Sequence, residues 1–407
     1  MAGWFRRPRT RAGTDPHRPG AIPRAAAVSG ERQVLGRGVG CAAVKAADVV
    51  ILGGGIAGLS AAWSLARAGG RRVVLLEREE VLASHSSGRN AAIFRQLDGS
   101  PGGVELAVQS RKLLDPLMAS RGGWLQATGA LFVARSPAGL QKLLSLAEAH
   151  GVAHTRLDGS ELLRRVPALQ GSTATFGFEV PGDGVMDIHG ICQALADEAR
   201  AAGASIRLRT EASRILAVNG QVDGVLLAGG ERITAGEVVL AAGAWASELS
   251  STAHAALELA PMRRHVAQLD AVVPVRSPVV WCVDDEAYFR PESGGTLASP
   301  CDEDPYPPCL PPEAPHAREL LAEKLSRLAP SIAQSGVRRG WACLRTFAKD
   351  RAMVIGPDPR VAGLHWFAGL GGHGMTAGVA AGELLAAGMK GERSKLLDAL
   401  SPARLLR

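Results

Sequence analysis

A glycine-rich turn between two apolar segments constrains the fold of this chain more than any other feature. Residues 48–79 read DVVILGGGIAGLSAAWSLARAGGRRVVLLERE. The first apolar run predicts a buried strand, the next stretch has the period of a helix up to Gly69, and the second apolar run ends at Glu77. Together they predict a βαβ unit and therefore the α/β class.

Three glycines of this turn are placed as in a dinucleotide-binding site. We expect Gly53 to make the tight turn, Gly55 to let the backbone approach a pyrophosphate, and Gly58 to let the helix pack against the strand. The helix N-terminus then faces the phosphate charge. Glu77 can accept hydrogen bonds from both ribose hydroxyls, which disfavours a 2′-phosphate. This fingerprint alone leaves NAD and FAD open.

Three further segments favour FAD. Residues 83–92, ASHSSGRNAA, form a hydroxyl-rich loop whose serines and arginine can donate hydrogen bonds to phosphates. Residues 238–245 predict a strand that ends in a glycine turn, where Gly243 marks a close backbone approach. Residues 364–375 lead into a predicted helix from Thr376, whose N-terminus suits the anionic edge of a reduced flavin.

Five segments of the chain carry a resemblance to a known family. They are HSSGRNAA at 85–92, DDEAYFRPESGGTLASP at 284–300, WACLRTF at 341–347, GLGGHGM at 369–375 and LSPARL at 400–405. Through them, residues 47–407 resemble the D-amino-acid oxidase-like (DAO) family of FAD-dependent oxidoreductases, which includes glycine oxidase, monomeric sarcosine oxidase and D-arginine dehydrogenase. The segments are most like the last of these. The resemblance implies an α/β fold in which a Rossmann-like, GR2-type FAD-binding domain is interleaved with an α+β substrate domain.

The resemblance also implies that both domains are discontinuous. The FAD-binding domain would comprise residues 46–100, 187–250 and 340–400, and the substrate domain would comprise residues 101–186 and 251–339. The glycine pattern and the resemblance together give a set of predicted FAD contacts. These are Gly53, Gly55, Ile56, Ala57, Gly58, Glu77, Arg78, Ser86, Ser87, Gly88, Arg89, Ala212, Ala242, Gly243, Trp245, Gly371, Gly372, Gly374, Met375 and Thr376.

Substrate recognition is predicted from the chemistry of an amino-acid carboxylate, which needs fixed cationic partners beside a flavin. Arginine suits this role because its planar guanidinium binds a carboxylate through two hydrogen bonds. Arg345 lies in a predicted apolar strand, where an unpaired charge would be costly. Arg263 and Arg264 open an alternating strand, so one of them points inward, and the resemblance favours Arg264. The predicted substrate and catalytic set, completed by the resemblance, is Arg345, Arg264, Tyr288, His373 and Gly372.

The predicted function is FAD-dependent oxidation of the C–N bond of a small amino acid, of the D-amino-acid, glycine or N-methylglycine type. A hydride would pass from the Cα–H to flavin N5, giving an imino acid that hydrolyses to a keto acid, and O₂ or another acceptor would take the electrons. Such an enzyme is an amino-acid dehydrogenase or oxidase that acts on CH–NH or CH–NH₂ donors. The alternatives are a non-catalytic assembly factor with structural FAD and an NAD(P)-dependent dehydrogenase.

Two departures from D-arginine dehydrogenase bear on the substrate. That relative has an acidic residue where this chain has Leu131, and a histidine where this chain has Ile93. D-arginine is therefore not expected as the substrate, and the pocket is expected to be more apolar near both residues.

The six cysteines include no C-x-x-C pair and no histidine cluster at zinc spacing. Neither a structural metal nor a disulfide framework is therefore predicted. Cys343 falls where sarcosine-oxidase relatives bind flavin covalently, but the residues after it differ. We expect non-covalent FAD, with a covalent link to Cys343 as the alternative.

The net charge of +7 is concentrated at the beginning of the chain. Residues 1–45 hold nine basic and two acidic residues, and the remainder holds 37 of each. This tail lacks hydrophobic periodicity, so we expect it to be disordered, either as an over-extended start or as an arginine-rich import segment. We expect a cytoplasmic protein, with organelle import through the tail as the alternative, and neither a nucleic-acid partner nor a transmembrane segment.

Overall fold

The computed structural model describes residues 45–406 of the chain. The tail predicted to be disordered therefore lies outside the described residues, apart from Lys45, where the first strand begins. None of the helices between residues 45 and 406 combines the length and the apolar character that a membrane span needs.

Strands and helices alternate along the described part of the chain. The strands are β1 (Lys45–Leu52), β2 (Val73–Leu76), β3 (Ile93–Phe94), β4 (Leu125–Gln126), β5 (Ala130–Ala134), β6 (Thr155–Leu157), β7 (Phe176–Val180), β8 (Gly184–Met186), β9 (Ser205–Arg207), β10 (Ala212–Val218), β11 (Gln221–Leu227), β12 (Arg232–Leu240), β13 (Leu259–Leu269), β14 (Val279–Cys282), β15 (Ala287–Glu292), β16 (Gly295–Ser299), β17 (Asp304–Pro305), β18 (Val337–Ala348), β19 (Val354–Pro357) and β20 (Leu364–Ala368). The α-helices are α1 (Ile56–Arg67), α2 (Gly103–Met118), α3 (Pro137–Ala149), α4 (Gly159–Arg165), α5 (Ile188–Ala201), α6 (Ala246–Ser251), α7 (Pro315–Leu328), α8 (Pro330–Ala333), α9 (Gly374–Met389) and α10 (Lys395–Leu400).

The first sheet confirms the βαβ unit predicted around the glycine turn. Its central order is β10-β11-β12-β1-β2-β9, and β20 pairs with both β12 and β19. β1 runs parallel to β2 and to β12, and α1 connects β1 to β2. Helices α1, α5 and α9 share a buried core with strands of this sheet. Because a second core includes other residues of β1, this strand is buried on both faces and reads as an unbroken apolar run.

A second sheet follows the order β17-β13-β16-β15-β14-β5-β7-β6, and β18 pairs with β13. Its pairs are antiparallel except for β14 and β5. Its strands come from stretches of the chain that alternate with those of the first sheet, and a small third sheet has the order β3-β8-β4. The predicted fold class, an α/β fold with an interleaved α+β part, is confirmed, whereas the residue boundaries of the two domains stay a prediction.

The long pair of β13 and β18 positions the two predicted carboxylate-binding arginines. Arg264 lies opposite Cys343, and Arg345 lies opposite Met262. Because residues two positions apart on a strand share a face, Arg264 and Arg345 are diagonal neighbours on one face of the sheet. The pairing register therefore brings together two side chains that are far apart in the sequence.

Candidate functional site

A cavity of about 530 Å³ lies between the two sheets, and its volume is in the range of ligand-binding pockets. The first sheet contributes the turn after β1, the loop after β2, the turn after β12 and the start of α9. The second sheet contributes residues of β13, β14, β15 and β18. One end of the cavity is therefore built by the predicted nucleotide motif, and the other by the sheet that carries the predicted substrate residues.

At two of the predicted positions in the glycine turn, a side chain larger than a hydrogen atom would not fit. Gly53 has a φ of +110°, and a Cβ there would lie 2.5 Å from the carbonyl oxygen of Ala241. A Cβ at Gly58 would lie 1.8 Å from the Gly53 carbonyl oxygen, so α1 can approach the end of β1 only with glycine at this position. Gly55 lines the cavity directly at the N-terminus of α1. The turn thus presents its backbone to the cavity, as a pyrophosphate requires.

Glu77 is held at the carboxyl end of β2, where it lines the cavity. Its Oε2 accepts a hydrogen bond of 2.6 Å from the Gly54 amide, and its Oε1 accepts one of 2.9 Å from the Glu79 amide. Glu77 as a whole is 8% exposed. Each oxygen has a further lone pair, so the fixed carboxylate can still accept hydrogen bonds from ribose hydroxyls.

The hydroxyl-rich loop closes over the start of α1. The Ser87 hydroxyl accepts a hydrogen bond of 2.9 Å from the Ile56 amide, and the Ser86 hydroxyl donates one of 2.5 Å to the Leu344 carbonyl. Both serines line the cavity, whereas Arg89 does not, and its Nε is buried without a hydrogen-bond partner among the described residues. Phosphate contacts from these side chains stay a prediction.

The opposite wall of the nucleotide end is aromatic and cationic. The Arg78 guanidinium lies 3.8 Å from the centroid of the Trp245 ring, and the His85 ring lies 4.8 Å from it. Gly243, which has a φ of +52°, turns the chain after β12 into this wall. Of the predicted FAD contacts, all line the cavity except Gly58, Gly88 and Arg89. Gly88 has a packing role, because a Cβ there would lie 2.4 Å from the Ala83 carbonyl oxygen.

The glycine segment before α9 forms the wall between the two ends. Gly371, Gly372, Gly374, Met375 and Thr376 all line the cavity. The helix begins at Gly374, two residues before the predicted start. A Cβ at Gly371 would lie 2.6 Å from the Phe347 ring, so this segment must lack side chains to pass close to β18. The backbone cradle, the fixed acid at Glu77 and the helix N-termini together fit FAD.

Arg345 is buried on the cavity wall, and no acid in the described part of the chain pairs with it. Its Nη1 donates to the Sγ of Cys343 at 2.6 Å and to the Leu344 carbonyl at 3.2 Å, and it forms no ion pair with an acid among residues 45–406. The Cys343 thiol donates to the Arg89 carbonyl at 2.8 Å and lies outside the cavity wall. This placement supports non-covalent FAD and leaves the Arg345 charge available to a ligand.

Arg264 also lines the cavity, but it already has an anionic partner. Its Nε donates to the Asp302 carbonyl at 3.2 Å, and its guanidinium pairs with Glu303, which Arg351 also binds at 2.6 Å. Arg263 points to the other face of β13, where it pairs with Asp304 at 3.1 Å. The alternation of the strand therefore selects Arg264, the inward residue that was predicted.

Tyr288 lies on the same wall and stacks on Trp281, with ring centroids 4.9 Å apart and an angle of 22° between the planes. Burial raises the pKa of the Tyr288 hydroxyl to about 12. The hydroxyl is therefore un-ionised at neutral pH and can donate a hydrogen bond to an anion.

His373, the residue before α9, is a neutral imidazole held between two charged groups. Its Nδ1 lies 3.1 Å from the Asp98 carboxylate, and its Nε2 lies 3.4 Å from an Arg95 Nη2. Burial lowers the pKa of His373 to about 4. Because arginine can only donate, Nε2 accepts the hydrogen bond and Nδ1 carries the proton toward Asp98.

Sequence reasoning missed Arg95, Trp281 and the role of Asp98. The guanidinium of Arg95 lies 3.9 Å from the centroid of the Trp281 ring, and both residues line the cavity. Ile93 lines the cavity and Phe94 is buried in the core. Because side chains alternate along a strand, Arg95 must face the cavity like Ile93, and this alternation could have revealed it from the sequence. The prediction that Leu131 lines the pocket is wrong, because this residue is fully buried within β5 in the core of the second sheet.

Asp183 is fully buried and close enough to Arg95 to interact with its charge. Its carboxylate accepts a hydrogen bond of 2.9 Å from the Gln96 side chain and two of 3.2 Å from the Gln96 amide. Burial outweighs these contacts and raises the pKa of Asp183 to about 7. The folded protein therefore takes up a proton here that an unfolded chain releases near pH 4.

We expect the stability of the protein relative to Asp183→Asn to fall as the pH rises from 5 to 8. The pKa is higher in the folded state, so this contribution is complete below about pH 4 and is lost as the pH passes about 7. The expected change over the range is about 2–3 kcal/mol. Urea unfolding of both proteins at four pH values measures it, and parallel pH dependences would contradict it.

Among the residues described, no three histidine, cysteine or acidic side chains are grouped as a metal ion would need. The site residues that line the cavity belong to the glycine-rich nucleotide motif and to a wall that carries arginine and tyrosine side chains.

Several known proteins are similar to this chain in sequence or in fold. The glycine oxidase of Geobacillus kaustophilus (strain HTA426) is 27% identical over 338 residues, which cover 79% of this chain and 87% of that protein. The mitochondrial pyruvate dehydrogenase phosphatase regulatory subunit of Mus musculus is 28% identical over 363 residues, which cover 84% and 41%. The crystal structure of L-proline dehydrogenase from P. horikoshii superposes with a TM-score of 0.82 at 24% identity and covers 89% of this chain and 99% of that one.

The family match covers most of this chain, whereas several curated relatives are much longer than it. The chain spans about two fifths of the length of several curated relatives that it matches, with coverages of 41%, 43% and 39%. The family model described as FAD dependent oxidoreductase (DAO) matches residues 48–387, from the first strand to the end of α9. The chain therefore belongs to the DAO family of FAD-dependent oxidoreductases, and its cofactor is FAD.

Proposed function

We propose that the protein oxidises the C–N bond of a small amino acid, which is a D-amino acid, glycine or an N-methylated glycine. The observation that carries the proposal is Arg345, whose buried guanidinium lines the cavity and has no acidic partner among the described residues. A buried cation without an anionic partner is costly, so the carboxylate of an amino acid is the ligand that it suits.

The residues of the substrate end have separate roles in this proposal. Arg345 binds the substrate carboxylate through two N–H groups, and the un-ionised Tyr288 hydroxyl donates a further hydrogen bond. These contacts fix the orientation of the Cα–H bond. His373 stays neutral and adds no charge to the site, because its pKa lies well below neutral pH. FAD, when bound, accepts the hydride, and the imino acid product hydrolyses in water to a keto acid.

A non-catalytic role with structural FAD is the second candidate. It is favoured by the likeness to a protein that is named as a regulatory subunit. Arg345 and Tyr288 argue against this role. A buried cation that pairs with no acid among the described residues is costly, and a protein that binds no amino acid would gain nothing to offset that cost.

We expect one amine of a small panel to bleach the flavin of the purified protein under anaerobic conditions. The panel contains D-amino acids, L-proline, glycine and sarcosine, and the readout is the absorption band near ~450 nm, which a bound flavin loses on reduction. A flavin band that no amine bleaches would support the structural-FAD role instead. A colourless protein that still binds NAD would contradict both.

A further inference from the structure

We propose that the substrate carries two carboxylates, of which Arg345 binds the one beside the reacting C–N bond and Arg95 binds the other. This inference rests on the proposed function and extends it to a substrate class, the amino dicarboxylates. It starts from the presence of two guanidinium groups on one cavity wall that have no acidic partner among residues 45–406.

Arg95 is the second of these cations. It follows β3, its guanidinium covers the Trp281 ring at 3.9 Å, and the only hydrogen bond of that guanidinium within the described part of the chain is the 3.4 Å contact to His373. Burial lowers the pKa of Arg95 and outweighs the opposite effect of the nearby Asp98 carboxylate. A planar guanidinium that stacks on an indole keeps its edge free for two hydrogen bonds to a carboxylate.

The acids near Arg95 already have other partners. Asp98 lies against the Nδ1 of His373 at 3.1 Å and accepts a hydrogen bond of 2.5 Å from Ser100. Asp183 is held by Gln96, and its raised pKa weakens its charge at neutral pH. Neither acid forms a hydrogen bond or ion pair with the Arg95 guanidinium, so its edge stays open to a ligand.

Arg264 does not change this conclusion. Arg264 forms an ion pair with Glu303, and Glu303 also pairs with Arg351. Arg345 and Arg95 are therefore the cavity-lining arginines that form no ion pair with an acid among residues 45–406.

The Trp281 ring contacts both Arg95 and Tyr288. Tyr288, which lines the wall beside Arg345, stacks on Trp281 at 4.9 Å, whereas Arg95 lies over Trp281 at 3.9 Å. A stacked ring and a guanidinium at these distances cannot occupy one face of an indole, so Trp281 separates Arg95 from Tyr288. Two anionic groups joined by a short carbon chain match this arrangement.

Binding of unreactive acids to the holoenzyme tests the proposal without requiring turnover. Perturbation of the flavin spectrum is titrated with propionate and succinate, and with acetate and malonate. We expect at least one dicarboxylate to bind about 10-fold tighter or more than its monocarboxylate partner, because it gains a charge-assisted pair with Arg95. Equal affinities within both pairs would overturn the proposal.

Arg95→Gln is expected to reduce this preference by about 10-fold or more, and Arg95→Lys to reduce it less, because lysine keeps the charge but loses the planar fork. Arg67→Gln is the matched control, since Arg67 also covers a tryptophan ring, Trp63 at 4.1 Å, but lies outside the cavity. Bound FAD and thermal midpoints verify that each variant is folded. If Arg95→Gln weakens both members of a pair equally, the two arginines share one carboxylate and the proposal is wrong.

The reaction itself separates this proposal from the proposed function. D-aspartate is compared with D-alanine, and N-carboxymethylglycine with sarcosine, by anaerobic bleaching of the flavin. A dicarboxylate preference that depends on Arg95 supports the proposal. Tight dicarboxylate binding without any bleaching would overturn the proposed oxidation and leave the two-anion site in place, whereas oxidation of monocarboxylates alone would overturn the substrate class.

Discussion

Arg345→Met is expected to weaken binding of the amino-acid substrate by about 100-fold or more, measured as kcat/KM and as the dissociation constant of an unreactive carboxylate. Loss of one partner from a buried charge pair costs about 2–5 kcal/mol, and every tenfold loss of affinity corresponds to about 1.4 kcal/mol. The side chain of methionine has a similar length, so the change removes the charge and the donors while it largely retains the volume.

The same substitution is expected to leave the thermal midpoint of the ligand-free protein no lower than before. Arg345 is a buried cation without an acidic partner among the described residues, so its removal relieves a desolvation cost. Arg339→Met is the control, because Arg339 lies exposed on the same strand and outside the cavity. Unchanged substrate affinity in Arg345→Met would refute the carboxylate assignment.

Gly58→Ala is expected to abolish retention of FAD during purification. The added Cβ would lie 1.8 Å from the Gly53 carbonyl oxygen and 3.4 Å from Ile51 Cγ2, and both obstacles belong to β1 and its turn. The backbone cannot yield as a flexible side chain would, so α1 must move away from the phosphate-binding turn. Overpacking of this kind costs about 1–3 kcal/mol or more.

Absorbance of the flavin relative to the protein gives the FAD content, and thermal unfolding gives the stability. Gly236→Ala is the matched control, because Gly236 lies in β12 with a backbone conformation open to alanine and with no atom within 4 Å of the added Cβ. This control should retain FAD and change the free energy of unfolding by no more than about 0.5 kcal/mol. Full FAD occupancy in Gly58→Ala would show that the packing role assigned to this glycine is wrong.

The predictions from sequence were most successful where the signal is contiguous. The glycine turn, α1 and Glu77 lie within one stretch of about thirty residues, and local periodicity with glycine spacing reports on them directly. The prediction that Leu131 lies at the pocket was wrong because it depended on contacts between segments that are distant in the sequence. An apolar residue in a strand can face a core or a cavity, and only the packing of β5 between β14 and β7 decides which.

The sequence by itself determined the α/β class, the position of the nucleotide turn and, through strand alternation, that one of the two adjacent arginines Arg263 and Arg264 points inward. Only the tertiary structure decided which charged groups meet. Arg95, Trp281 and His373 come from three distant segments, and their encounter depends on how the second sheet packs against α9. Local periodicity fixes which face a side chain occupies. That Arg345 has no acidic partner among residues 45–406 is instead a property of the whole neighbourhood, which no single segment encodes.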